Sequence, residues 1–249
     1  MPIDFARRLT GRERTRSANR QLGAALAFIA GATNAGAFLA VRQYTSHMTG
    51  MVSSAADFLV LGELEAAGAA LAALFAFVLG AATSALLINY ARRRRLGSLY
   101  ALPLLLEALL LLVFGLLGAR LSSIAGLFVS VTVMLLCFMM GLQNAVITKI
   151  SNAEIRTTHV TGLVTDLGIE IGKLLYWNRL QHDVALHVVA DRDRLRLLAL
   201  LVLAFFGGGV AGAFGFQRVG YLTTVPLALL LVGLAIVPAA DDLKDFLAR

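Results

Sequence analysis

The sequence predicts an all-α integral membrane protein of six transmembrane helices, arranged as two inverted three-helix repeats. Each repeat carries a short re-entrant helix after a His-x-Thr-Gly motif. Three observations predict this. Hydrophobic residues make up 59% of the 249-residue chain and charged residues only 15%, where soluble domains hold about a quarter charged residues. The apolar residues gather in six runs close to the roughly 20 residues that cross a bilayer core as a helix. Finally, SHMTG at 46–50 and THVTG at 158–162 repeat one pattern, and each follows a Gly-x-x-Asn-Ala (Gly31, Asn34, Ala35; Gly141, Asn144, Ala145).

The six runs are Leu22–Val41, Ala66–Tyr90, Leu99–Ala119, Ile124–Ile147, Leu197–Phe216 and Tyr221–Val237. Between the first two, Gly50–Gly62 reads GMVSSAADFLVLG, which carries too little charge for an ordinary outside loop. A helix of about 14 residues is about 21 Å long, too short to cross. The second copy, Gly162–Lys173, reads GLVTDLGIEIGK and is shorter still. Both fit re-entrant half-helices, whose non-helical ends are tolerated at membrane depth only where protein or a cavity covers them. Thr49 and Thr161 are the expected N-caps, and Gly50 and Gly162 allow close approach of a solute or another backbone. The free N–H groups and partial positive charge of such N-termini suit an anion or a polar solute.

Each repeat holds an odd number of spans, so the second lies upside down relative to the first, an architecture common in transporters with midplane sites. Span two carries Phe77, Gly80, Ser84 and Ala85, and span five carries Phe205, Gly208, Gly212 and Ala213 at the same spacings. Spans three and six open with Tyr100 and Pro103, and with Tyr221 and Pro226. The glycines of spans two and five read as points of close helix approach. The chain thus divides into a basic cytoplasmic segment (1–20), membrane repeat 1 (21–119), membrane repeat 2 (120–238, with an inner-surface segment at 174–194) and a cytoplasmic tail (239–249). Trp177, His182 and His187 belong to that inner-surface segment, which has the composition of a helix lying on the membrane.

Charge sets the orientation. If six spans alternate, 19 of the 22 basic residues fall on one side, and the other side receives only Arg42, Arg120 and Arg218. The positive-inside rule then places both termini in the cytoplasm. A net charge of +7 distributed this way reflects membrane orientation rather than nucleic-acid binding. Span one is read as a retained span rather than a cleaved leader. The single cysteine, Cys137, lies within span four and reads as a small core residue.

Polar residues inside the apolar runs are the candidate site. Asn34, Gln143 and Asn144 must find partners on other helices or in a wet cavity. Asn34, His47, Thr49, Gly50, Asn144, His159, Thr161 and Gly162 form the candidate substrate-binding set. Glu107, in the middle of LLLEALLLL, is a coupling candidate, because an intramembrane acid faces an interior and often carries ions or protons. Asp166 is a second candidate. With Glu170, four residues on and on the same helix face, it makes either a cation-binding pair or, with Glu170 bonded to Lys173, an ordinary ion-paired surface. His47 and His159 lack a fixed third ligand, so no metal site is expected. No cofactor and no catalytic residue is assigned.

GLQNA at 141–145 with RTTHVTG at 156–162, and GATNAGAF at 31–38 with HMTG at 47–50, resemble the YoaK-like bacterial membrane proteins, a domain of unknown function. The resemblance covers roughly Gln21 to Pro238. It implies a six-span bacterial inner-membrane protein of the small-molecule transporter type, with no established substrate. The family pattern often has Asp where this chain has Asn34, and Asn where it has Met51. Where that Asp carries a proton or cation in relatives, Asn34 does not titrate, and coupling here moves elsewhere, with Glu107 the candidate.

The expected function is transport of a small polar or anionic solute, by alternating access at a midplane site as one half rocks against the other. A passive channel is the alternative, followed by a membrane-embedded enzyme and a non-transporting scaffold. The expected partners are the lipid bilayer and a small solute, without nucleic acid. The sequence is compatible with either a monomer or a homo-oligomer.

Overall fold

A computed structural model of the protein describes residues 15–121, 125–150, 159–176 and 187–247. The regular structure of these residues is helical. Eight α-helices run in the order α1 (Arg16–Val41), α2 (Met48–Leu61), α3 (Leu64–Arg93), α4 (Ala101–Leu121), α5 (Ala125–Ile150), α6 (Val160–Leu175), α7 (Arg192–Val219) and α8 (Thr224–Leu247). A 3-10 turn, Gly220–Thr223, joins the last two.

Local chemistry sets the ends. Thr15 caps α1 by accepting from the Ala18 N–H at 3.2 Å. Gly62, at φ 78°, closes α2 in the left-handed conformation, its N–H on the Leu59 and Phe58 carbonyls, a glycine C-cap. Arg92 and Arg93 occupy the last turn of α3, where cations complement the helix dipole. α7 starts at Arg192, ahead of the apolar run that predicted it, because Asp191 accepts from the Asp193 and Arg194 N–H groups at 3.0 Å each.

Among the described residues, five stretches are long and apolar enough to cross a membrane: Ser17–Val41, Leu64–Arg93, Ala101–Arg120, Val129–Ile150 and Arg192–Asp242. The last, 51 residues long, contains α7, the 3-10 turn and α8 together, where the sequence predicted two separate spans. α2 (14 residues) and α6 (16 residues) are about 21 and 24 Å long at 1.5 Å per residue, short of the roughly 30 Å hydrocarbon core. α6 is longer than α2, the reverse of the expectation from its apolar run. Residues 177–186 of the predicted inner-surface segment lie outside the described residues; α6 ends at Leu175 within its first residues, and α7 takes up its last three, residues 192–194.

The helices pack in an interlocked order. α1 lies along α7, α3 along α5, and α4 along α8, while α2 rests on α3 and α6 on α7. Glycines make the first two crossings close. A Cβ at Gly31 would overlap the carbonyl oxygen of Phe205, and one at Gly208 that of Phe28. In the other pair, Gly141 meets the Phe77 carbonyl and Gly80 the Phe138 carbonyl in the same way. Lipid tails are as apolar as leucine, so close packing of this kind, rather than hydrophobic burial, holds membrane helices together. Leu26 and Ile29 of α1, Leu104 and Leu111 of α4, and Met139 and Met140 of α5 are among the fully buried side chains of the central core. Cys137 is buried beside Ala73 and Ala76.

Candidate functional site

The two short helices begin identically. His47 is the N-cap of α2 at φ −91°, ψ 70°, and His159 the N-cap of α6 at φ −85°, ψ 56°. Thr49 and Thr161 therefore stand at the second helical position and are not the caps the sequence predicted. The helix starts two residues earlier in each copy, and no side chain caps either first turn. The spacing of His-x-Thr-Gly now has a reason. Residues i and i+3 share a helix face, and each imidazole lies across the glycine three residues on. A Cβ at Gly50 would overlap the His47 ring, and one at Gly162 would press on the His159 ring.

Gly-x-x-Asn obeys the same rule. Gly31 and Gly141 sit where their helices cross a partner backbone, and the asparagine one turn on enters a cavity. That cavity, about 780 Å³, is lined by Asn34 and Asn144, His47 and His159, Met48 and Val160, Thr49 and Thr161, and Phe77 and Phe205. Tyr44, Ser46 and Thr148 complete it. Six of the eight predicted binding residues line this one space. The other two, Gly50 and Gly162, lie under the histidines that do. Ser46 Oγ donates to Asn34 Oδ1 at 3.1 Å.

The electrostatics follow from the lining. Two helix N-termini face the space, each equivalent to roughly half a positive charge. None of the described lining residues is acidic. The arrangement offers amide, hydroxyl and imidazole groups against positive partial charge, the setting that stabilises negative charge on a ligand. His47 and His159 share this cavity. Among the described residues, no group of three His, Cys, Asp or Glu could hold a metal ion.

Sequence reasoning missed Phe77, Phe205, Tyr44, Ser46 and Thr148. Phe77 and Phe205 stood out as a matched pair of the repeat, but were assigned no place in the site. Their carbonyls do take the glycine contacts, while both residues also line the cavity.

Glu107 and Gln143 lie apart from the cavity. Glu107 is 1% exposed and Gln143 fully buried. Gln143 Nε2 donates to Glu107 Oε1 at 2.7 Å and approaches the Leu26 carbonyl at 3.4 Å, joining α5 to α4 and α1. The other oxygen of each, Glu107 Oε2 and Gln143 Oε1, is buried without a partner among the described residues. Gln143 and Asn144 are consecutive, so one turn of α5 faces both this buried pair and the cavity.

The acids of α6 are engaged. Lys173 donates to Glu170 Oε1 at 2.8 Å, and the Asp191 N–H donates to Glu170 Oε2 at 2.9 Å. Asp166 pairs with Arg194 at 2.9 Å. These bonds tie the C-terminal half of α6 to the start of α7. The Lys173 bond and the Asp191 N–H hold the Glu170 carboxyl below its ordinary range. Asp191 is lowered too, chiefly by the Arg194 N–H.

The chain belongs to a family described as a protein of unknown function (DUF1275), whose family model matches residues 22–237. No curated protein and no solved structure matches it.

Proposed function

We propose that this member of the family carries a small polar or anionic solute across a bilayer, with the shared cavity as its binding site. One observation carries the reading: the His and Thr of both His-x-Thr-Gly copies, and the asparagine of both Gly-x-x-Asn motifs, line a single space. Asn34, His47, Thr49, Asn144, His159 and Thr161 contact the solute, and Gly50 and Gly162 seat the imidazoles. Catalysis is not part of this reading.

In this reading the chain crosses six times as two inverted repeats, with α7 and α8 as separate crossings. It sits in a bacterial inner membrane with both termini in the cytoplasm, as the distribution of basic residues favours. The correspondence of α1 with α5, α2 with α6 and α3 with α7 is supported by the matched caps, the matched glycine contacts and the matched lining. The interlocked packing also revises which bodies move. Gly31 and Gly208 join α1 to α7, and Gly80 and Gly141 join α3 to α5, so the rigid units are α1–α6–α7 and α2–α3–α5. These mix the two sequence halves, and their relative rocking about the cavity gives alternating access. Glu107 is the coupling residue, reached from the cavity through α5. Asp166, bonded to Arg194, anchors α6 rather than coupling transport.

The test is reconstitution into liposomes and uptake of a panel of small anions and polar neutral solutes. The reading expects saturable uptake that falls at least tenfold in the Thr49→Ala/Thr161→Ala and Asn34→Ala/Asn144→Ala double variants, with folding retained. Uptake unchanged in both would sink it. A passive channel is the second reading, favoured by two half-helices whose N-termini line one cavity. Accumulation above equilibrium under an ion gradient separates the two, because a channel only equilibrates its solute.

A further inference from the structure

A second cavity, about 770 Å³, lies between α2, α3 and α5. Arg42 and Gln43, just beyond the end of α1, line it together with Ala66 and Ala69 from the start of α3 and Val129 near the start of α5. Those three helix ends therefore lie at one level, and the charged and amide groups stand at that level. Further in, Ala73 of α3, Phe58 of α2 and Met134 of α5 make the wall apolar. The alanine face of α3 leaves a furrow that neighbouring side chains do not fill.

Arg42 makes no ion pair with any described residue. Its guanidinium lies over the Phe38 ring, 5.8 Å from the centroid, and that ring stacks on Tyr44 at 4.9 Å. A guanidinium held over a ring keeps N–H donors at its edge for a phosphate or carboxylate. Arginine at a helix end sits at headgroup depth. A cation with a neighbouring amide at the mouth of an apolar furrow is the complement of an anionic amphiphile.

We propose that this second cavity binds an anionic phospholipid of the surrounding bilayer, its phosphate on Arg42 and Gln43 and one acyl chain against the alanine face of α3. Tyr44 and His47 line both this cavity and the solute cavity. A bound lipid thus forms part of the wall against which His47 rests.

The test uses the purified full-length protein. It is incubated with equal phosphatidylglycerol and phosphatidylcholine of the same chain length, and retained lipid is counted by native mass spectrometry. The proposal expects phosphatidylglycerol retained at least threefold over phosphatidylcholine. Arg42→Gln brings the two level, and Arg42→Lys keeps part of the preference. Ala69→Trp, which fills the furrow, lowers retention of both. If that variant does not fold, Ala66→Leu narrows the same wall. Equal retention of both lipids by the wild type, or a preference untouched by Arg42→Gln, would overturn the proposal. Displacement of phosphatidylglycerol by an equal concentration of oleate would overturn the phospholipid assignment in favour of a free fatty acid.

Discussion

The His47 imidazole lies across Gly50, so close that a Cβ at position 50 would overlap the ring, and His159 repeats the relationship with Gly162. In both cases the overlapping atoms belong to a side chain that can swing away. Alanine in place of glycine gains about 1 kcal/mol of helix propensity. Gly50→Ala and Gly162→Ala are therefore expected to fold with an unfolding midpoint at or above wild type, yet to lose most solute uptake. Thermal scanning beside liposome uptake checks this. A variant that keeps full uptake would show that the ring position is immaterial.

The glycines at the helix crossings behave oppositely, because what they meet is backbone. Gly80→Ala presses on the Phe138 carbonyl and Gly208→Ala on the Phe28 carbonyl, and neither carbonyl moves without its helix. Overpacking of this kind costs about 1–3 kcal/mol, more than the propensity gain. Both variants should unfold at lower temperature in detergent. Gly207→Ala, which has nothing within 4 Å, should be neutral or stabilising in the same scan.

Glu107 and Gln143 separate a structural role from a coupling one. Glu107→Gln keeps an acceptor for the Gln143 amide, so its stability should stay close to wild type. Glu107→Ala leaves a buried amide short of a partner, at a cost of about 1–3 kcal/mol. In liposomes, Glu107→Gln should abolish gradient-driven accumulation while solute exchange persists. Normal accumulation would leave Glu107 a purely structural group.

The link between α6 and α7 should be acid-sensitive. Glu170 and Asp191 both titrate below their ordinary values in the folded protein. Their contribution is therefore complete above the ordinary carboxylate range, near pH 4, and is lost as pH falls through the lowered folded values. The unfolding midpoint should fall as pH drops below about 4, and hydrogen exchange in α6 should rise as it does. Glu170→Gln should flatten that dependence. An unchanged profile would mean the link adds no stability.

Much of this was legible in the sequence, and the reason is repetition. A motif written twice survives the biased composition of membrane helices, so Asn34, His47, Thr49, Asn144, His159 and Thr161 stand out in the sequence as a set, and the fold brings them to one cavity. The spacing did not reveal which atom caps α2 and α6, since Thr is a good cap and His is not. Only the backbone at His47 and His159 shows the helix starting two residues earlier. The partners of each glycine were also hidden, because periodicity describes one helix face and not the neighbour against it. That is why a rocking motion of the two sequence halves looked natural, while the contacts bind α1 to α7 and α3 to α5. Glu170 met its expected partner Lys173 because an i,i+3 pair is local, whereas the bond between Asp166 and Arg194 spans 28 residues and left no local signature.

The central claim is that both motif copies face one solute cavity, and cysteine accessibility tests it most directly. Thr49→Cys and Thr161→Cys, each in a Cys137→Ala background, would be treated with a membrane-impermeant thiol reagent in right-side-out and inside-out vesicles. The account predicts that both positions react from the same side under a given condition, switch sides together, and are protected together by a transported solute. Independent reaction from opposite faces, with protection of neither, would contradict it and separate the two motifs into unconnected sites.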